Sequence, residues 1–314
     1  MTDAVIVSTA RTPIGKAYKG ALNNTEGATL LGHAISAALS RAKIEAAEVE
    51  DVVMGCAMQQ GTTGTNIARK ALLRAGLPVT VGGTTIDRQC ASGLQAIALA
   101  ARSVIFDGVE VAIGGGGESI SLVQNNQMNT FHAVDPELLA IKGDAYIAML
   151  ETAEIVARRY DISRERQDDY SLESQRRTAS AQQGGRFNDE LAPIKTTMAV
   201  TDKASGVVSY KQVTLSTDEG PRPDTTAEGL AAVKPAKGPG FTITGGNASQ
   251  LSDGASAAVI MSDKLAAQRG LKPLGIFRGF VASGCKPDEM GVGPIYAVPR
   301  LLKRHGLKIE DIDL

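Results

Sequence analysis

The chain has 314 residues, 43% of them hydrophobic, enough for two compact domains or one large domain with an insertion. A formal net charge of −1 and 4% aromatic residues, with no tryptophan, argue against nucleic acid or an anionic membrane as partner. Cys56, Cys90 and Cys285 are odd in number and widely spaced, with no Cys-x-x-Cys or His/Cys cluster, which argues against zinc and against a disulfide framework.

A reducing compartment fits this cysteine usage. The opening M-T-D-A-V-I-V-S-T-A holds only a short apolar run, unlike a signal peptide. No apolar run approaches the roughly 18 residues of a membrane span. A cytoplasmic protein is therefore expected. The 34 glycines gather in runs such as Gly114 to Gly117, a sign of tight turns or close backbone approach.

Residues 4–9 are short, apolar and β-branched, as in a buried strand. Leu30, Leu31, Ala34, Ile35, Ala38 and Leu39 recur at helical spacing. Val52 and Val53 before Gly55 predict a strand, 66–75 a helix, and 84–86 another strand. Leu94, Ile97, Ala98, Ala101, Val104 and Ile105 follow the helical repeat to a stop near Asp107-Gly108. Residues 109–113 are again strand-like. This alternation predicts an α/β layered core, with 1–119 as its first part.

From 120 to 240 the character changes. Helices are predicted over 144–159 and 164–183, the second with Ser163 as N-cap and Gly184-Gly185 as its stop. The polar stretch 214–240 shows no periodicity. The whole region reads as an insertion lying over the core. The α/β pattern resumes at 241–270, with strands at 241–244 and 255–261 and then a helix. A third section, 271–314, offers a strand at 276–282, a loop, and a helix from Pro299 to a stop at Gly306. A new element opens at Ile309, and the chain stops at Leu314.

The stretch D-R-Q-C-A-S-G-L-Q, Asp87 to Gln95, stands where a strand gives way to a helix. Cys90 is thereby expected at a helix N-terminus, where unsatisfied N–H groups and the macrodipole favour a thiolate. The same N–H groups can stabilise an oxyanion formed by attack from the sulfur. Ala91, Ser92 and Gly93 leave room above it. The ordinary alternative is a packed cysteine, which stays open for Cys90 and is expected of Cys56 and Cys285. His33 falls inside a helical pattern, His132 in an irregular stretch, and His305 in a basic last turn. None is marked by the sequence as a base for Cys90.

Five motifs occur in order: V-S-T-A-R-T-P-I-G-K, D-R-Q-C-A-S-G-L-Q-A-I, G-G-G-G-E-S-I-S, G-N-A-S-Q-L-S-D-G-A-S-A-A, and M-G-V-G-P. Together they resemble the thiolases, and the resemblance runs along the whole chain. It implies a thiolase-like layered αβαβα fold with an inserted loop domain at 120–240 that binds coenzyme A. It also implies an acyl-CoA C-acyltransferase that uses Cys90 as nucleophile and forms or cleaves 3-ketoacyl-CoA through an acyl thioester. Acyl-CoA and acetyl-CoA would be its partners, with no cofactor and no metal, and the complete protein would be a homo-oligomer.

Carried over residue by residue, Ser249 of G-N-A-S would face the pantetheine arm. Arg222 of D-E-G-P-R would lie near the adenine nucleotide end. Met149 would line the substrate pocket. Ordinary readings remain for each: a turn residue, a solvated charge, and helix core. Ala148 stands where acetyl-specific members often carry histidine, which puts a narrow acetoacetyl preference in doubt. The family's later Asn-Glu-Ala-Phe segment, Gly-His-Pro histidine and second C-terminal cysteine do not occur in this sequence. An incomplete C-terminal half, and inactivity of the 314 residues alone, are expected on that ground. Two other readings compete: a ketoacyl synthase of the same superfamily, and a non-catalytic acyl-CoA-binding relative.

Overall fold

A computed structural model describes residues 2–314. The first stretch runs β1 (Ala4–Arg11), β2 (Gly15–Lys16), α1 (Gly27–Ala42), β3 (Asp51–Gly55), α2 (Ile67–Arg74), β4 (Gly82–Ile86), α3 (Ser92–Arg102), β5 (Val111–Ser119) and α4 (Ile120–Val123). The middle adds α5 (Pro136–Ile141), α6 (Met149–Arg159), α7 (Arg164–Gln183), β6 (Ile194–Thr201), β7 (Val208–Leu215) and α8 (Ala227–Ala231). The last part holds β8 (Ser252–Ser262), α9 (Asp263–Gln268), β9 (Gly275–Ile276) and α10 (Gly293–His305). The chain divides into two compact units, one of residues 1–129, 185–220 and 250–278, the other of 130–184, 221–249 and 279–314.

The first unit is built on a mixed sheet in the order β4-β3-β5-β8-β1-β9, with β2 beside β8. β3 runs parallel to β4 and β5, while β8 is antiparallel to both β5 and β1. The strands are apolar on both faces, and alternate residues go to different cores. Val5, Val52, Met54, Val111, Ile113, Val259 and Met261 meet the buried faces of α1 and α2. Ala4, Val53, Ala112 and Ile260 meet Ala96, Ala100 and Ala101 of α3. A helix–sheet–helix sandwich follows directly from that alternation.

Glycine explains how close α3 lies. A Cβ at Gly114 would stand 2.6 Å from the Ile97 Cα, and one at Gly116 3.1 Å from the Gly93 Cα. The glycine run of β5 is thus a bed for a helix backbone. The segment Gln89–Asp107 is long and apolar enough by composition to cross a membrane, contrary to expectation. Its alanines nevertheless pack on the sheet, as in a core helix of a globular unit.

Several expectations change. The polar region after 184 contains a hairpin, β6 against β7, paired from Ile194↔Leu215 to Thr201↔Val208. Its turn is tied by Asp202, whose Oδ1 accepts from the amides of Ala204 and Ser205. Ala192, Ile194 and Leu215 are buried in the α1–α2 core, so 185–220 builds the first unit's core rather than covering it. Mixed polar and apolar strand positions hid this hairpin. Residues 241–244 form only an isolated bridge, Pro235↔Thr244. The strand expected over 276–282 ends at Ile276. β9 runs toward the start of β1, and its last pairing, Phe277 N to Ala4 O, exhausts that partner. The final helix begins at Gly293 rather than Pro299, with Pro294 in its first turn and Pro299 inside it.

Two acids anchor the strap after β7. Asp218 forms a paired salt bridge with Arg11 at 2.7 and 2.9 Å and accepts from the Ile14 amide at 2.7 Å. Glu219 accepts from the amides of Lys16 and Ala21. Burial alone would raise the Asp218 carboxyl, but Arg11 and the Ile14 amide hold it below its ordinary value. A depressed carboxyl contributes stability above its unfolded value, about 3.9, and loses it as pH falls through the lower folded value. Asp218→Asn should therefore cost about 1–3 kcal/mol at neutral pH. Denaturant titrations should show that the cost shrinks below about pH 4. A pH-independent loss would assign the effect to shape alone.

The second unit is largely helical. Ser163 caps α7 by accepting from the Arg166 amide, as the sequence predicts, and Gly185 beyond its end takes φ +69°. Arg159 of α6 clamps the turn before α10 through Asp288 and Glu289, each at 2.5 Å.

Candidate active site

In the first unit, the parallel strands β4, β3 and β5 end side by side. Ligands of open α/β sheets gather beyond such carboxyl ends. The segments leaving them carry Cys90 after β4, Cys56 after β3 and Glu118 near the end of β5.

The link from β4 to α3 is a tight, hydrogen-bonded turn. Gln89 adopts a left-handed φ of +47°. A non-glycine residue there costs on the order of 1 kcal/mol and persists only where its surroundings impose it. Here the imposing groups are visible. The Gln89 amide donates to Asp87 Oδ1 at 2.6 Å, and the Arg88 amide to Ser92 Oγ at 2.8 Å. Ser92 Oγ in turn donates to the Gln89 carbonyl at 2.5 Å. Arg88 is held by Gln95 Oε1 at 2.8 Å. Cys90 follows Gln89 and lies two residues before the first residue of α3, exposed to solvent. The Ala91 and Ser92 amides just after the sulfur donate to the carbonyls of Arg88 and Gln89, both at 3.0 Å. The exposed thiol is thus presented on a rigid turn, where it can act as a nucleophile.

The other thiols differ. Cys285 is half-buried and lies 3.9 Å from the carbonyls of Glu289 and Met290. Cys56 is fully buried, and its Sγ stands 3.5 Å from Glu118 Oε2. Burial first, and then the Glu118 charge, push the Cys56 thiol up to about 12. Its neutral form is the stable one in the fold. The raised value means stability held below the unfolded thiol value and lost as pH climbs toward about 12. Native protein should thus leave Cys56 unlabelled by iodoacetamide at neutral pH, and thiol-peptide mapping checks this. Labelling of Cys56 ahead of Cys90 would reverse the assignment of roles.

Glu118 was not singled out by the sequence reading. Its Oε1 accepts from the Ala57 amide at 2.5 Å and its Oε2 from the Met58 amide at 3.4 Å. Burial raises its carboxyl, against the pull of those two amides. The available signal was an acid directly after a glycine run that ends a buried strand. Ser119 and Ser121 of the same motif are also structural hooks. Ser119 donates to the Thr25 carbonyl, and Ser121 donates to fully buried Asp253 at 2.5 Å.

The histidines are accounted for in part. His33, in α1, bonds the Ala192 carbonyl at 3.1 Å. His132 packs edge-on against Phe131, and His305 is the last residue of α10.

In the second unit, Arg222, Ser249 and Met149 are all exposed, each in a different framework. Arg222 sits on a loop whose backbone is tied to Gln175 and Thr225, with Asp218 and Glu219 anchored just before it. Ser249 follows a loop organised by Asn247. The Asn247 side chain accepts from the Thr244 amide and donates to Asp168 and the Thr242 carbonyl. Met149 opens α6 and is 63% exposed, so the helix-core alternative does not describe it. A shallow cleft of about 280 Å³ between α7 and α8 includes Arg164 and Asp168 and none of these three residues.

Comparison with known proteins agrees with this arrangement of motifs. Residues 4–264 match the thiolase N-terminal domain and residues 271–314 the thiolase C-terminal domain. A 3-ketoacyl-CoA thiolase of Bacillus subtilis is 42% identical over 316 aligned residues, covering 100% of this chain and 80% of that protein. Peroxisomal 3-ketoacyl-CoA thiolase A of Mus musculus is 39% identical, over 100% of this chain and 72% of that protein. Among solved structures, the acetyl-CoA acetyltransferase of Bacillus anthracis superposes with a TM-score of 0.85 at 36% identity, covering 100% of this chain and 79% of that one. Human mitochondrial 3-ketoacyl-CoA thiolase in complex with CoA gives 0.84 at 35%, over 100% and 78%. With both domains matched and the Cys90 turn in place, the chain belongs to the thiolase family of acyl-CoA C-acyltransferases.

Proposed function

We propose that Cys90 is the nucleophile of this thiolase and carries the acyl group between two coenzyme A thioesters. The observation that carries this reading is the exposed sulfur on a constrained turn at the start of α3. The thiolate adds to the acyl-CoA carbonyl, the oxyanion collapses, and coenzyme A leaves as its thiolate. Acetyl-CoA, whose α-proton passes through solvent to the departed coenzyme A thiolate, then attacks the Cys90 thioester as its carbanion. A carbon–carbon bond forms, the Cys90 thiolate is released, and the product is a 3-ketoacyl-CoA. Thiolysis is the reverse. Covalent catalysis divides one difficult step into two easier ones. No cofactor is needed, since the thioester supplies the activation. Ala148 beside Met149 favours a range of acyl groups over acetoacetyl alone. The unpaired thiols support a cytoplasmic location. Incubation with acetyl-CoA should leave one acetyl group on the peptide that contains Cys90, and acetylation at another residue would overturn the assignment.

Coenzyme A is assigned to Arg222 at its phosphates and Ser249 at its pantetheine arm. A guanidinium suits phosphate oxygens through paired hydrogen bonds. Arg222→Ala should weaken coenzyme A binding about tenfold or more and spare a pantetheine fragment that lacks the nucleotide. Calorimetry with both ligands decides it. Equal losses for the two would make Arg222 a structural residue.

A further inference from the structure

Successive glycines set a register between β5 and α3. A Cβ on Gly114 would meet the backbone of Ile97, and one on Gly116 would meet Gly93. Residues two apart on a strand share a face. Two strand residues advance about 6.6 Å and four helical residues about 6 Å, so strand and helix keep step in opposite directions. Glu118, the next residue on that face, therefore comes level with the residues just before Gly93, the Gln89-Cys90 turn. The Asp87 charge acts on the Glu118 carboxyl, and Asp87 also accepts from the Gln89 amide.

Glu118 also grips the chain that presses on α3. Its oxygens hold the amides of Ala57 and Met58 and the Cys56 thiol. Just before them, Gly55 lies so close that a Cβ would stand 2.2 Å from the Ser92 carbonyl carbon and 2.4 Å from the Gly93 nitrogen. A shift in 56–58 has no slack to absorb it before the turn that carries Cys90. Resting on the reading of Cys90 as nucleophile, we propose that Glu118 is its positioning residue, holding the Cys56–Met58 segment against the first turn of α3.

The ionisable groups around the turn are Asp87 and Arg88 at the exit of β4, Cys56 at the end of β3, and Glu118 on β5. Asp253 on β8 pairs with Ser119 of β5 and is bonded to Ser121. The first turn of α3, Ser92 to Gln95, carries none. Removal of the Glu118 carboxylate should loosen the turn and slow the chemistry at Cys90 without weakening substrate binding, a split that simple destabilisation would not produce.

Glu118→Gln and Glu118→Ala in the full chain test this. Iodoacetamide alkylation of Cys90 is followed by peptide mass across pH, with acyl-thioester formation from acetyl-CoA measured in parallel. At high pH the alkylation rate should fall about tenfold in Glu118→Ala and by less in Glu118→Gln, in line with the cost of a misplaced reacting group. Acylation should slow while KM for acetyl-CoA stays within about twofold, because ground-state binding is untouched. Parental alkylation and acylation rates in both variants overturn the proposal. If Glu118→Ala does not fold, Glu118→Gln decides by the same two readouts. A parent chain that alkylates at Cys90 and accepts no acyl group would instead overturn the functional reading, and alkylation would still decide the part played by Glu118.

Discussion

Cys90→Ala should abolish acyl transfer from acetyl-CoA, lowering thioester formation by at least about 10³-fold, the scale on which nucleophile removal acts. Cys56→Ala and Cys285→Ala should each keep acylation within about tenfold of the parent. The contrast follows from three environments. Cys90 is exposed on a left-handed turn that Asp87 and Ser92 hold in place. Cys56 is buried and held neutral, its thiol pushed up to about 12. Cys285 is half-buried, its thiol turned to the carbonyls of Glu289 and Met290 at 3.9 Å. Single-turnover acylation read by intact mass separates the three. Persistent acylation of Cys90→Ala would move the nucleophile elsewhere.

Much of the first unit was legible because its strands and helices carry unmixed patterns. Leu30, Leu31, Ala34 and Ile35 mark α1 by spacing alone, and all are buried. The sequence also located the strand-to-helix turn at Cys90, since β-branched residues stop at Ile86 and the helical repeat starts at Leu94. The hairpin β6–β7 was illegible for a physical reason. It buries its far ends, Ile194 and Leu215, while most positions between them are polar or exposed, so neither period dominates. The helix starting at Gly293 was misplaced because Pro299 reads as a first-turn residue, while Pro294 already fills that position. Of the proposed site residues, Cys90 and its turn were readable from local context. Glu118 was not, because its significance lies in amides 60 and more residues away, at Ala57 and Met58. Arg222, Ser249 and Met149 came from family resemblance, and the structure adds their exposure and their local scaffolds.

Gly55→Ala should be among the most damaging single-methyl changes in the first unit. Its Cβ would lie 2.2 Å from the Ser92 carbonyl carbon, 2.4 Å from the Gly93 nitrogen and 2.4 Å from the Ser92 carbonyl oxygen. All three are backbone atoms, so no rotamer change relieves the contact. The helix cannot lift away without parting Ala96, Ala100 and Ala101 from Val53 and Ala112. The strand cannot retreat either, being paired on both sides with β4 and β5. Overpacking in a tight core costs about 1–3 kcal/mol where side chains can adjust, so about 3 kcal/mol or more is expected here. Gly275→Ala serves as the control, since its Cβ would meet nothing within 4 Å, and it should stay within about 0.5 kcal/mol. Denaturant unfolding of both variants measures the difference. The contact also touches the two residues just beyond Ala91, so folded Gly55→Ala should alkylate Cys90 at an altered rate even where stability permits folding. A Gly55→Ala chain with parental stability and parental Cys90 reactivity would mean that α3 does not rest on the end of β3. The tight link between β3, Glu118 and the nucleophile turn would then fall with it.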